Sequence, residues 1–301
     1  MQHRSLIATA TALVALATFA TTAHADLTSG NGGMDPTLNS GGDTQFDLLW
    51  HDEFDGFLLD STKWTDRRLG PRRQGVNVSD AVTVADGNLS IRTYTQNGTH
   101  YTGMIGTQET FQHTYGYYEA RINFDGSSGM WQNFWLQSPD VENTSLAPEQ
   151  AGVELDVVEH LSHENGWRDV ASVNTHWGGY GSQHQTRGTN VYGLDLDQGF
   201  HTYGLLWTPE GYTWYIDGNA VWDGNDTPIS QRDQYLILAS EVGETHWTGA
   251  IPNAGYGSFH DTDTVMEVDY VRVWNVSSST PEPTSLLGLA GAGLLALRRR
   301  R

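Results

Sequence analysis

An all-β sandwich is the fold this sequence predicts, and three observations carry it. The chain holds 11 Trp, 13 Tyr and 34 Gly, the aromatic and turn-forming residues of many short strands rather than of helices. Its central part divides into aromatic segments of strand length separated by glycine. Between residues 45 and 275 no apolar pattern of helical period runs long enough for a convincing amphipathic helix.

The elements follow in order. Tyr115-Gly116-Tyr117-Tyr118-Glu119-Ala120-Arg121-Ile122 and Gly129-Met130-Trp131-Gln132-Asn133-Phe134-Trp135-Leu136 both read as strands. Glu154-Leu155-Asp156-Val157-Val158-Glu159 reads as a third, with Glu154 and Asp156 on one face by period two. Strict alternation would add Val158 to that face. A β-bulge of one extra residue brings Glu159 there instead, and bulges are common beside active sites. Three carboxylates on one surface repel one another, so chemistry explains them better than packing does. The alternative is a solvated strand with its acids outward. Asn174-Thr175-His176-Trp177-Gly178-Gly179 follows, and bulky aromatics near paired acids are what a sugar cleft requires.

These segments resemble glycoside hydrolase family 16, in the branch with a bulged Glu-x-Asp-x-x-Glu signature. The resemblance extends to Leu49-Trp50-His51-Asp52-Glu53-Phe54-Asp55-Gly56 as the opening strand. It continues with Phe200 to Gly204 through Tyr215 to Gly218 as a later hairpin, and with Met266 to Trp274 as the closing strand. It implies a jelly-roll of two curved antiparallel sheets with concanavalin A-like lectin and glucanase architecture. It also implies hydrolysis with retention. Glu154 matches the nucleophile, Glu159 the acid/base and Asp156 the carboxyl that tunes the pair, with the two glutamates roughly 5 to 5.5 Å apart. A lectin of the same fold is the alternative, but it has no need for two Glu flanking an Asp.

The same resemblance places Trp131 and Trp135, four residues apart, on the cleft floor, and His176 and Trp177 against the sugar; Trp247 is a further binding candidate. Core packing is the alternative for each Trp. Gln132 and Asn133 stand where many laminarinases have Pro-Ala. Asp269 occupies the position of a structural-calcium ligand in the family, although bonding to its strand's neighbours would explain it as well. No cofactor is expected for catalysis.

The formal charge is −20, with four of the sixteen Lys and Arg gathered in Arg298 to Arg301. Nucleic acid is therefore an unsuitable partner. The charge also favours a neutral β-1,3-linked or mixed-linkage glucan over a sulfated marine galactan. Arg67, Arg68, Arg72 and Arg73 argue locally for the galactan, unless they form only a solvated loop. The absence of cysteine excludes thiol nucleophiles and disulfides, and no His-x-x-x-His spacing marks a catalytic metal.

Residues 1–25 read as a secretory signal peptide: Arg4, the apolar stretch from Leu6 to Ala20, then Ala23-His24-Ala25. Residues 26–44, rich in Gly, Ser, Thr and Asn, read as a flexible lead-in, and 45–276 as the catalytic domain. Residues 277–301 resemble a bacterial Pro-Glu-Pro sorting signal, with Pro281-Glu282-Pro283, an apolar run from Ser285 to Leu297 and four arginines. The run falls short of the ~20 residues of a bilayer span, which predicts transient membrane contact and removal after export; a retained tail anchor is the alternative. The expected product is a monomer acting outside a Gram-negative cell.

Overall fold

The computed structural model describes residues 33–39, 44–161, 169–194, 196, 198–243 and 248–278. Two large antiparallel sheets dominate them. The sheet that carries the cleft has seven strands among the described residues, in the spatial order Gln185–Tyr192, Val170–Trp177, Glu154–Leu161, Met130–Gln137, Tyr235–Val242, Met104–Gly106 and Thr65–Asp66. The sheet behind it has eight. Its centre is formed by Gly116–Asn123 between His201–Thr208 and the long closing strand Val265–Ser278, which also pairs with the opening strand Thr44–Asp52. Helix is confined, among the described residues, to Pro148–Ala151 and the single 3₁₀ turn Ser79–Ala81.

Alternation of side chains sorts each strand between core and cleft. On Met130–Gln137, Phe134 and Leu136 enter the core, while Trp131, Asn133, Trp135 and Gln137 line the cleft. Across the core, Tyr118, Ala120, Leu205, Trp207 and Val273 meet Leu155, Val158 and Val173. The sandwich is held by these apolar faces, each fully buried large side chain contributing ~1.5–3 kcal/mol.

The bulge expected in the acidic strand is present. Phe134 pairs with Val158 and Trp135 with Asp156, so Val157 is the extra residue on that side; on the other side Asp156 pairs with Asn174 and Glu159 with Ser172. Val157 and Val158 both enter the core as a result. Glu154, Asp156 and Glu159 all face the cleft. A bulge interrupts the ladder and leaves backbone groups to be satisfied elsewhere. Here Trp214, buried in the sheet behind, donates its indole N–H to the Asp156 carbonyl at 2.9 Å.

The lead-in reading is corrected for residues 33–39. This segment docks on the outer face of the rear sheet: Leu38 is buried with Tyr117 and Trp274, the Thr37 N–H donates to Glu119 Oε2 at 3.1 Å, and the Trp274 indole donates to the Met34 carbonyl at 2.9 Å. Glu119 is wholly buried and also accepts from the Tyr117 and Tyr270 hydroxyls, each at 2.9 Å. A buried carboxylate needs such donors. A polar composition shows local freedom but not a distant carboxylate waiting for a partner.

Candidate active site

The cleft is a cavity of about 600 Å³ over the bulged strand and its neighbours. Glu154 Oε2 accepts hydrogen bonds from Gln137 Nε2 at 3.2 Å and from the Tyr180 hydroxyl. Behind it, Gln137 Oε1 accepts from Arg67 Nη2 and from the Tyr235 hydroxyl, both at 2.6 Å. Two donors on its oxygen leave the Gln137 amide only one orientation, with its NH₂ toward the glutamate.

Glu159 is held at both oxygens, by Trp131 Nε1 at 2.8 Å and Asn174 Nδ2 at 2.7 Å. Room for the Asn174 amide comes from Gly188, its cross-strand partner, where any Cβ would collide with Asn174 Oδ1. Asp156 is buried, and His176 Nε2 lies 3.1 Å from its Oδ2. The other imidazole nitrogen, Nδ1, faces His184 Nε2 at 3.0 Å with the two rings nearly parallel.

Crowding of three acids sets the proton affinities. Burial, and then the Asp156 charge, push Glu154 up to about 7 and Glu159 up to about 8. Tyr180, His176 and Gln137 act in the opposite direction on Glu154. Burial alone would lower His176, but Asp156, with Glu154 and Glu159, outweighs it and holds the imidazole up at about 9. Contact with Asp156 thus favours the protonated form of His176, which offsets negative charge among the three carboxyls.

Not every expected binding residue reaches the cleft. Trp131 and Trp135 both line it. Trp131 has Arg73 over its ring at 4.1 Å, so one of its faces is already covered. Trp135 packs against Met104, Tyr235, Ile237 and Ala239 and is only 8% exposed. His176 is in place. Trp177 is a correction: as its strand neighbour it points the other way, packs against the core and lines a separate hollow of about 320 Å³. Trp247 lies outside the described residues.

Tyr180, Gln137 and Asn174 were missed in the sequence. Period two from Trp131 and Trp135 reaches Gln137, and from His176 it reaches Asn174, so both had a signal. Tyr180 had only its setting in Gly178-Gly179-Tyr180-Gly181. Arg68, Arg72 and Arg73 form one wall of the cleft, where Arg72 Nη2 and Arg73 Nε grip the buried Glu241 at 3.0 and 2.7 Å.

Glu154, Asp156 and His176 are, among the described residues, the one group of ligating side chains close enough to share an ion. The His176 cation already supplies positive charge there. Asp269 pairs with Arg121 Nη1 on the neighbouring strand at 2.6 Å, the bonding that stands as the alternative to a calcium ligand.

A β-sandwich with this carboxyl-lined cleft is of the glycoside hydrolase class. The chain belongs to glycoside hydrolase family 16: residues 50–276 match the family model described as "Beta-porphyranase A-D, GH16 domain". Residues 279–301 match the PEP-CTERM protein-sorting motif, which marks the protein for export to the surface or exterior of a Gram-negative cell. The chain is 28% identical over 266 residues to glucan endo-1,3-beta-glucosidase A1 of Niallia circulans, covering 75% of this chain and 37% of that one. It is 27% identical to beta-porphyranase E of Zobellia galactanivorans, covering 75% of this chain and 85% of that one. The crystal structure of porphyranase B from the same organism superposes with a TM-score of 0.64 at 22% identity, over 81% of this chain and 99% of that one, a likeness of fold. The chain spans well under half the length of the first curated relatives it matches.

Proposed function

We propose that the protein is an endo-acting, retaining hydrolase of a β-linked galactan that carries anionic substituents such as sulfate esters. The wall of Arg68, Arg72 and Arg73 is the observation that carries this reading. Among the described residues, Glu241 is the one carboxylate bound to Arg72 and Arg73, and the Arg68 side chain has no partner. The wall thus keeps positive charge. Arg68 and Arg73 also adopt left-handed backbone, at φ 48° and 51°; such strain tends to persist where function holds it. The overall charge of −20 favours a neutral glucan only at long range. Screening over about 8–10 Å leaves the decision to groups that touch the chain being cut.

Glu154 attacks the anomeric carbon while the bond to the leaving oxygen breaks, and Glu159 gives its proton to that oxygen. Glu159 then takes a proton from water, whose oxygen displaces Glu154 from the same carbon. Retention follows from the two inversions. The raised affinity of Glu159 suits the acid, and the Tyr180 and Gln137 donors suit Glu154 as an ionised nucleophile. Asp156, paired with His176, raises the proton affinity of both glutamates through its charge.

A neutral β-1,3-glucan is the second reading, favoured by the activity named for the Niallia circulans relative. Oligosaccharide release from porphyran or carrageenan, with none from laminarin or barley β-glucan, is expected. The reverse pattern establishes the glucan reading, and binding without any cleavage the lectin one. Glu154→Ala with azide is expected to yield a glycosyl azide of inverted configuration, and Glu154→Gln or Glu159→Gln to lower turnover by several orders of magnitude. Full activity in either Gln variant would remove the assignment.

A further inference from the structure

We propose that Asn133 is a specificity-determining residue whose side-chain amide binds a hydroxyl of the sugar ring at the cleavage point, with the Trp135 indole N–H as a second polar contact. The inference rests on the reading of Glu154 and Glu159 as the catalytic pair. Asn133 is 5% exposed and lines the cleft, yet its Oδ1 has no hydrogen-bond partner among the described residues. Trp135 Nε1, also buried and on the same face, has none either. The cleft-lining Asp156 and Arg72 have a His176 and a Glu241 contact, but these two atoms have no ion-pair partner to substitute for a hydrogen bond.

Their neighbours explain why. Asn133 stands cross-strand from Glu159 on one side and from Ala239 on the other. Glu159 is already engaged at both oxygens, and Ala239 offers only a methyl group. Gln132, the adjacent residue, faces away from the cleft and is satisfied: its Oε1 accepts from the Asp125 N–H at 2.8 Å and its Nε2 donates to Ser240 Oγ at 3.2 Å. Of the two residues that replace Pro-Ala, one is thus structural and the other lines the cleft with a buried amide oxygen that no neighbour satisfies.

A buried polar atom without a partner destabilises the free protein, so its retention needs a compensating contact. A sugar hydroxyl is suited to provide it, because it both donates and accepts and can serve either end of an amide. A site built around such a bond rejects rings that lack the hydroxyl or present it at the wrong carbon. Glucan and galactan rings differ in that respect, in the orientation of single hydroxyls.

Opposite effects on stability and binding test the inference. Asn133→Ala and Asn133→Leu are prepared in the otherwise unmutated protein for melting, and all three Asn133 forms are prepared with Glu154→Gln, which suppresses cleavage of the ligand, for affinity. Their melting temperatures are measured, together with affinity by calorimetry for oligosaccharides of porphyran, agarose and laminarin. Affinity for the oligosaccharide that the Glu154→Gln form with Asn133 binds is expected to fall by about tenfold or more, as for a lost bond to a buried polar group, with the melting temperature unchanged or raised. If Asn133→Ala loses stability through the cavity it leaves, Asn133→Leu, which has the same heavy-atom count and branching, decides. Affinity within about twofold of the Glu154→Gln form that keeps Asn133, whatever happens to melting, overturns the proposal. Since this readout needs no turnover, it fails or succeeds separately from the azide experiment on Glu154.

Discussion

Tyr180 reaches the reaction centre from a half-exposed position on a loop, 26 residues along the chain from the glutamate it bonds. Its hydroxyl and the Gln137 amide both engage Glu154 Oε2, which leaves Oε1 as the oxygen free to attack. Donation to a carboxylate favours its ionised form. The charges that face Glu154 otherwise are Asp156 and Glu159 on its own strand, His176 on the next, and Arg67 behind Gln137; Glu142 and His184 close the rim. Tyr180→Phe keeps the ring and removes only the donor. The acid limb of its kcat/KM profile is expected to move to higher pH, by about half a unit or more, with kcat reduced about tenfold or more, a loss typical of a bond to a charged group. An unshifted profile would make Tyr180 a strut of the loop. The three acids were readable in the sequence because their spacing lies within one strand. Tyr180 was not, because its contact exists only once the loop folds back over that strand.

At the scale of the strand, the bulge at Val157 is what turns an alternating sequence into a catalytic face. It requires the core to accept two consecutive valines and another group to satisfy the Asp156 carbonyl. Trp214 does the latter from the opposite sheet. Trp214→Phe leaves that carbonyl unpaired and opens a small cavity, and is expected to destabilise the fold by ~1–3 kcal/mol. A larger proportional effect on turnover than on stability is expected as well, because Asp156 and Glu159 flank the same bulge. Denaturant melts and kinetics of this one variant check both, and unchanged kinetics with lowered stability would separate the bulge from catalysis. The sequence suggested the bulge from the acids alone; it held no sign of Trp214, which is 58 residues away. Trp177 shows the converse. Its nearness to His176 in sequence suggested a shared role, and alternation along the strand separated them.

For the whole molecule, the acid cluster ties stability to pH. The folded values of Glu154, Glu159 and His176 all lie above their ordinary ones, 4.5 for the glutamates and 6.5 for the histidine. The folded state therefore binds more protons than the unfolded chain. Their contribution is complete below the unfolded values and is lost as pH rises through about 7 to 9. The melting temperature is expected to fall between pH 6 and pH 9, and Glu159→Gln to flatten part of that slope. Thermal melts across the window test this, and an equally steep fall in the variant would place the effect elsewhere. Charge at this scale bears on the substrate only at long range. A total of −20 describes the average surface, while the Arg68, Arg72 and Arg73 wall describes the few ångströms that matter to a bound chain.

The sequence by itself determined the sandwich class and the acidic face, because alternation and aromatic content act within each segment and need no distant partner; the order of strands within each sheet came from tertiary pairing. Its C-terminal address was equally local. The tertiary structure alone decided which side chains complete the site: Tyr180 and Gln137 on Glu154, Asn174 on Glu159, Arg73 over Trp131, and the unpaired amide of Asn133. It also decided that residues 33–39 pack against Glu119 and Tyr117. Each of these is a contact between segments far apart in the chain, set by sheet register and loop closure, and no pattern within a single segment encodes it.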